Sequence, residues 1–285
     1  MASVRIDLHR HSAASDGVDS PSEVVRRGRA AALDVLALTD HDTAAGHEEA
    51  AGALAVGQTL ARGAELSCSV DGASVHLLAY LFDPAEPSLA AELDRLRTDR
   101  VRRARGMVDR LVALGVPIVW ERVRELAAGE AIGRPHIARA MVEAGAVPDV
   151  ESAFTDEWIG SQGRAHISKY APAPAEAIRL VHDAGGVSVL AHPYASERGD
   201  SGCDDAAIAE LAAAGLCGVE VDHPGHNASA RQRLRGLAAD LDLAVTGGSD
   251  DHGADTPQGH GAGLTAPGEY ERLLSRAKGV PLVVG

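Results

Sequence analysis

Two hydrophobic patterns take turns along this chain. Val4, Ile6 and Leu8 alternate with polar neighbours, which is the period-two signature of a strand. Ser20-Pro21-Ser22-Glu23 then reads as a helix start, with Ser20 as N-cap, Pro21 as first helical residue and Glu23 as capping-box partner. That helix, about 21–32, leads into an apolar strand over 34–38, and an Ala-rich helix over about 43–56 follows. The strand 58–64 is expected to end at Glu65, and 74–82 alternates like a strand partner. Strand and helix in turn, with polar residues at strand ends, predict a parallel α/β core.

The pattern changes at Asp83-Pro84. Residues 88–114 predict a long, charged amphipathic helix carrying Arg95, Arg97, Arg100, Arg102, Arg103 and Arg105, whose plain reading is a solvated face. Shorter helices are expected at about 118–128, 135–145 and 149–158, divided by Gly129, Gly133-Arg134-Pro135 and the stretch 145–148. Alternation resumes with helices at 174–184, 204–214 and 228–240, preceding strands at 187–190, 218–221 and 243–246; a helix at 269–278 and a strand at 281–284 close the chain. The expected domains are therefore a core of residues 1–87 and 165–285 and an all-helical insert of 88–164.

Composition narrows the class. The 285 residues are 45% hydrophobic and 24% charged, enough for an aliphatic core. No apolar run approaches a membrane span, and the first residues contain no apolar leader. Cys68, Cys203 and Cys217 are widely spaced and odd in number, which suits a reducing, cytoplasmic setting. A formal net charge of −14 argues against a long nucleic-acid partner. Carboxylates that bind divalent cations carry less effective charge, so a small anionic substrate stays compatible.

The strand ends carry the chemistry. His9 and His11, two apart on a strand, point the same way. Asp40 and His41, Glu65, His192, His223, and Asp250 and His252 mark later strand ends, with Asp16 and His76 close by in sequence. So many ionisable groups at one sheet edge would destabilise a core unless paired or coordinated. Imidazole and carboxylate without Cys suit Zn, Mn or Fe in a hydrolytic site, and the number of ligands implies two or three ions.

These segments resemble the polymerase and histidinol phosphatase (PHP) superfamily. The matching motifs are Asp7-Leu8-His9-x-His11-Ser12 with Ser15-Asp16-Gly17, Thr39-Asp40-His41-Asp42, Gly63-x-Glu65-x-Ser67, Ala191-His192-Pro193 and Gly248-Ser249-Asp250-x-His252. The resemblance implies a distorted (β/α)7 barrel with an inserted helical cap and a trinuclear centre hydrolysing phosphate esters. By position, His9, His11, Glu65 and Asp250 would hold one ion, Glu65, His76 and His192 a second, and Asp16, His41 and His252 a third. Asp40 would join the metal set or orient one of its ligands.

Gly133-Arg134-Pro135-His136 further resembles the cap segment of stand-alone members acting on nucleotide phosphates and short oligonucleotides. Arg134, His136, Lys169, His223 and His226 are then the expected substrate contacts, and His192, Glu65, Asp250, Arg134 and His223 the expected catalytic set. Asp251 and Asp222 depart from the family pattern; Asp251 either adds charge near the third ion or faces solvent. His47, His166, His182 and His260 are read as bland.

The expected reaction is hydrolysis of nucleoside 5′-monophosphates, 3′,5′-bisphosphates or short 5′-phosphorylated oligoribonucleotides, by water activated between metal ions. The alternatives are a histidinol-phosphate-type phosphatase, an amidohydrolase and a metal-dependent binding module. An amidohydrolase commonly bridges its metals with a lysine, yet Lys169 and Lys278 follow no predicted core strand. A decayed centre would have lost ligands, whereas all nine positions are filled.

Overall fold

A computed structural model describes residues 4–127, 132–195, 203–253 and 263–285, so Gly129 and His260 lie outside the described residues. Seven strands follow one another in sequence order around the sheet: β1 (Ile6–Asp7), β2 (Val35–Leu38), β3 (Thr59–Val70), β4 (Ala73–Tyr80), β5 (Val187–Leu190), β6 (Gly218–Asp222) and β7 (Ala244–Gly247). An eighth, β8 (Val283–Val284), pairs antiparallel with the start of β3. The ends of the path meet through irregular backbone. Leu8 N–H donates to Gly247 O (3.4 Å), Asp250 N–H to His9 O (2.9 Å) and His11 N–H to Asp251 O (2.9 Å). The result is a nearly closed, distorted barrel.

The expectation of a parallel core is corrected at β4 as well as at β8. β4 runs antiparallel to both β3 and β5. Nor does β3 end at Glu65; it continues to Val70 and turns back at Asp71-Gly72, where both φ angles are positive (49° and 85°). Asp-Gly is the strongest short hairpin signal, and a two-residue turn can only join antiparallel strands. The extra length matters for the site. Ser67 pairs with His76 across the hairpin, and Glu65, two residues from Ser67, shares that face.

α1 (Pro21–Ala30) begins as its sequence indicates, with Ser20 Oγ accepting from Glu23 N–H at 3.3 Å. α2 (His47–Gly52) is shorter than expected because Gly46 stands at its N-cap and Gly52 ends it. α3 (Pro87–Ala113) is about 40 Å long at the usual helical rise. Its first half buries Leu89 and Leu93 against the barrel, and its second half buries Met107, Val108 and Leu111 in a separate apolar cluster. That second cluster is completed from α4 (Trp120–Ala127), α5 (Arg134–Glu143) and α6 (Val150–Ala153). α7 (Pro174–Asp183), α8 (Asp205–Ala213), α9 (Ala228–Asp240) and α10 (Pro267–Leu274) connect or follow the later strands.

Inside the sheet, Ile6, Leu8, Val35, Ala37, Leu78 and Val189 form part of one buried cluster. It reaches the ligand-bearing strand ends, where Leu8 and Ala191 adjoin His9 and His192. Among the described residues, no helix is long and apolar enough to cross a membrane.

Candidate metal centre

The strand ends converge as their positions foretell. His9, His11, Glu65 and Asp250 form one group of potential ligands, His11, Asp16, His41 and His252 another, and His41, Glu65 and His76 a third. In the first group, His9 Nε2 lies 3.1 Å from His11 Nε2, 3.3 Å from Asp250 Oδ1 and 3.5 Å from Glu65 Oε2. His11 Nε2 lies 3.2 Å from both carboxylate oxygens. Edges of this length belong to a tetrahedron whose centre is about 2 Å from each corner, the ligand distance of a zinc-like ion.

Three more observations fit a cation. Glu65 divides its oxygens: Oε2 faces His9, His11 and His41, while Oε1 lies 2.8 Å from His76 Nδ1 and 3.0 Å from His192 Nε2. Second, Glu65 Oε2, His11 Nδ1 and His41 Nδ1 are buried without a hydrogen bond among the described residues. Such atoms are costly in a folded protein unless something else satisfies them. Third, burial alone would drive His9 and His11 neutral, but neighbouring carboxylates overcome it. Glu220, Asp250 and Glu65 hold His9 well above its ordinary pKa, and Asp250 and Glu65 push His11 up to about 10. The cluster demands positive charge, and a divalent ion supplies it.

The group of His11, Asp16, His41 and His252 is looser. Asp16 lies 3.3 Å from His252 Nε2 and 3.7 Å from His41 Nε2, and the His252 ring stacks on His11 at 4.2 Å. Burial lowers His41 to about 3 despite Glu65 and Asp16, so the ring stays neutral and able to ligate. His41 and His11 each reach two groups, whereas the sequence assigned each to one.

Backbone strain gathers here. His192, Asp250 and Asp42 all have positive φ (29°, 50° and 56°), a region non-glycine residues rarely adopt. Gly248 is glycine because a Cβ would sit 2.2 Å from the Cβ of His9. It lets the 248–250 segment cross directly above the first ligand.

A family-model search matched nothing. Individual proteins do match. The chain is 36% identical over 250 residues to a 5′-3′ exoribonuclease of Haemophilus influenzae, covering 87% of this chain and 90% of that one. It is 34% identical over 278 residues to a 3′,5′-nucleoside bisphosphate phosphatase of Chromobacterium violaceum, covering 97% and 92%. A crystal structure from Bifidobacterium adolescentis, described as a metal-dependent phosphoesterase, superposes with a TM-score of 0.91 at 35% identity, covering 97% and 98%. The chain belongs to the PHP phosphoesterase family. It is thus a metal-dependent phosphoric ester hydrolase that binds divalent metal.

Around the centre of this PHP phosphoesterase stand residues the sequence did not single out. Glu220 is fully buried on β6; its Oε1 lies 3.0 Å from His9 Nδ1 and its Oε2 accepts from His192 N–H at 2.9 Å. Burial raises its pKa, but His9 and His223 outweigh that and pull it to about 2. The available signal was a lone carboxylate between Val219 and Val221, untenable in a core strand without a partner. Asp40 instead turns both oxygens to the 12–15 loop, accepting from Ser12 N–H, Ser12 Oγ and Ser15 Oγ at 2.6–2.7 Å. It positions the loop carrying Asp16 and belongs to none of the three ligand groups.

Several expected substrate contacts already have partners within the protein. His226 is nearby, but its Nδ1 donates to Val221 O and its Nε2 accepts from Tyr194 N–H, so the backbone occupies both nitrogens. His136 is buried, its Nδ1 accepting from Gly133 N–H, and burial lowers it to about 4. Arg134 is half-buried in the helical insert, bonded to Ile159 O and 5.3 Å from the Phe154 ring.

His223 stands beside the first ligand group. Its Nδ1 accepts from Gly225 N–H, which leaves the neutral ring's proton on Nε2, 3.3 Å from Asp250 Oδ2. Lys169 is half-buried and donates to Ser74 Oγ. Asp222 pairs with Arg235 on α9, away from the ligands.

The arginine run on α3 is not simply a solvated face. Arg97 donates to Asp42 O; Arg100 binds Asp42 Oδ2 at 2.5 Å and Ser67 Oγ at 2.7 Å; Arg103 donates to Ile167 O. Positions 97, 100 and 103 are three apart and share one helix face, which was legible in the spacing. His47 bonds Gly63 O and is structural, as expected.

Proposed function

We propose that the chain hydrolyses phosphate esters of nucleotides: 5′-monophosphates, 3′,5′-bisphosphates or short 5′-phosphorylated oligoribonucleotides. The observation carrying this reading is a carboxylate–imidazole centre bordered by cations from α3 and the segment after the insert. Arg100, Arg103 and Lys169 lie close enough to perturb one another. Burial, then Arg134 and Arg100, lowers Arg103 to about 10; burial, then Arg100 and Arg103, lowers Lys169 to about 8. Asp42 holds Arg100 charged, whereas Arg103 and Lys169 are crowded by neighbouring cations, a situation that an anionic ligand relieves. Residues 88–164 would act as the cap that admits the substrate.

In this reading His9, His11, Glu65 Oε2 and Asp250 hold one ion, Glu65 Oε1, His76 and His192 a second, and Asp16, His41 and His252 a third. Mn, Fe or Zn would suit the donors. Bound divalent ions supply Lewis acidity and lower the pKa of water to ~7. Glu220 keeps the His9 proton on Nδ1, so that Nε2 faces the centre. His223 Nε2–H stands beside Asp250 as a donor to a phosphoryl or leaving-group oxygen. Arg103 and Lys169 attract the substrate's phosphate, and Arg100 anchors Asp42, which holds the Ser67 amide. Three unpaired cysteines fit a cytoplasmic setting.

The test is turnover by metal-loaded protein of AMP, a 3′,5′-bisphosphate, a 5′-phosphorylated trinucleotide and histidinol phosphate, with His192→Ala as control. Turnover of the nucleotides, lost in the control, is expected. Turnover of histidinol phosphate alone would overturn the nucleotide reading.

A further inference from the structure

Arg10 stands between the ligands His9 and His11, and Asp251 stands between Asp250 and His252. Side chains alternate along extended chain, so a residue between two ligands faces away from the centre. The two meet there. Arg10 and Asp251 form an isolated parallel bridge, and Arg10 Nη2 lies 2.8 Å from Asp251 Oδ2 with the side chains only 1% and 2% exposed. Asp251 Oδ1 accepts from Gly253 N–H at 2.9 Å. Arg10 Nη1 lies 4.0 Å from Asp7 Oδ2, and Asp7 in turn accepts from Ser249 N–H and Ser249 Oγ. Neither sequence expectation for Asp251 holds, since it faces neither solvent nor the third ligand group.

This pair occupies the seam where the barrel closes without a regular ladder. Two backbone bonds flank it, Asp250 N–H to His9 O and His11 N–H to Asp251 O. A buried ion pair returns little net stability relative to apolar residues of similar size, because desolvation offsets its attraction. What it does supply is register. A slip at this seam would displace His9 and His11 relative to Asp250 and His252 together, and four of the proposed ligands would separate as two pairs.

We infer that Arg10 and Asp251 are positioning residues that lock the His9/His11 strand end to the Asp250/His252 strand end and so set the spacing of the metal ligands. This rests on the metal-centre reading above.

The variants Asp251→Asn, Arg10→Met, Arg10→Lys and the double variant Arg10→Met/Asp251→Leu separate positioning from mere stability. Three readouts are needed: melting temperature of the metal-free protein, tightly bound metal by elemental analysis with its affinity, and amide hydrogen exchange at residues 8–12 and 248–253 without metal. Asp251→Asn and Arg10→Met should bind metal ~10–100-fold more weakly, the usual cost of removing an outer partner. They should lower kcat with little change in KM and speed exchange at the seam. Arg10→Lys, which keeps the charge but not the fork, should be intermediate.

The double variant decides. It removes both charges of the pair and leaves Asp7 its two Ser249 hydrogen bonds, so its metal-free melting temperature should return part of the way toward wild type while metal affinity and seam protection do not. Recovery of metal affinity and seam protection along with stability would overturn the inference, as would metal affinity in the single variants that matches wild type. If the single variants prove insoluble, the double variant and Arg10→Lys carry the same test. Absence of metal from wild-type protein would refute the metal-centre reading instead, and seam exchange would still judge the clamp.

Discussion

Replacing Glu220 by glutamine is ordinarily the mildest change to a carboxylate, yet here it should be damaging. Both oxygens face N–H groups, one on His9 Nδ1 at 3.0 Å and one on the His192 amide at 2.9 Å. His9 must keep its proton on Nδ1 if Nε2 is to ligate, so the position calls for two acceptors. A carboxamide offers one acceptor and one donor. Either orientation leaves an N–H facing an N–H at a fully buried position. Losing a hydrogen bond to a charged group costs about 1.5–3 kcal/mol. Loss of an outer-sphere partner typically weakens metal binding ~10–100-fold, or ~1.4–2.8 kcal/mol, so the two estimates agree. The assay is competition against a chelator of known affinity, with kcat and KM measured at saturating metal. Glu220→Gln should bind metal ~10–100-fold more weakly, whereas Glu220→Asp, which keeps two acceptors, should lose less. Wild-type affinity in Glu220→Gln would refute the argument that this carboxylate sets the His9 tautomer.

Two further predictions concern protons. Burial, with Arg100 and Arg103 nearby, lowers Lys169 from 10.5 to about 8, so it is charged below that pH and neutral above it. KM for a phosphorylated substrate should therefore rise as pH climbs through about 8, and the limb should vanish in Lys169→Met; a pH-independent wild-type KM would exclude Lys169 from the substrate site. In stability the sign is opposite. The unfolded lysine holds more protons than the folded one between about 8 and 10.5, so this group's contribution increases with pH across that window. Metal uptake should also release protons, because Asp250 and Glu65 overcome burial to hold His11 at about 10 in the metal-free protein. Binding enthalpy should then vary with the buffer's ionisation enthalpy, and apparent affinity should increase with pH up to that value; buffer-independent calorimetry would contradict it.

The ligands were legible because each is a chemically distinctive residue at the end of a recognisable strand. Alternation and the order of elements pointed to His9, His11, His41, Glu65, His192, Asp250 and His252 as candidates, whereas Asp16, His76 and the grouping came from the family resemblance. Their supports were harder to see, since support depends on what a neighbouring strand contributes. Glu220 looks like an oddity until His9, 211 positions away in sequence, lies across from it. His226 looks like a substrate contact because sequence shows the imidazole but not the two backbone groups that occupy it. The Asp71-Gly72 turn was legible and overlooked: reading Glu65 as a strand terminus hid the continuation that brings His76 beside it. Arg97, Arg100 and Arg103 were similarly visible as one face of α3, but a helix face shows its target only once the barrel stands beside it.

The arrangement also explains why metal and fold should be coupled. The seam closing the barrel has irregular backbone, positive φ at Asp250, and buried carboxylates that repel one another without a cation. Strain at positions such as His192, Asp250 and Asp42 costs roughly 1–3 kcal/mol each. The apolar cluster beneath them is held by non-directional contacts, which do not by themselves keep ligand atoms about 3 Å apart. Bound metal and the outer groups must therefore supply that cohesion: Glu220 behind His9, Asp40 behind the Ser12 loop, and the Arg10–Asp251 pair behind both ligand-bearing strand ends. A centre built this way loses geometry before it loses fold, which is why metal affinity is a sharper reporter of these residues than melting temperature.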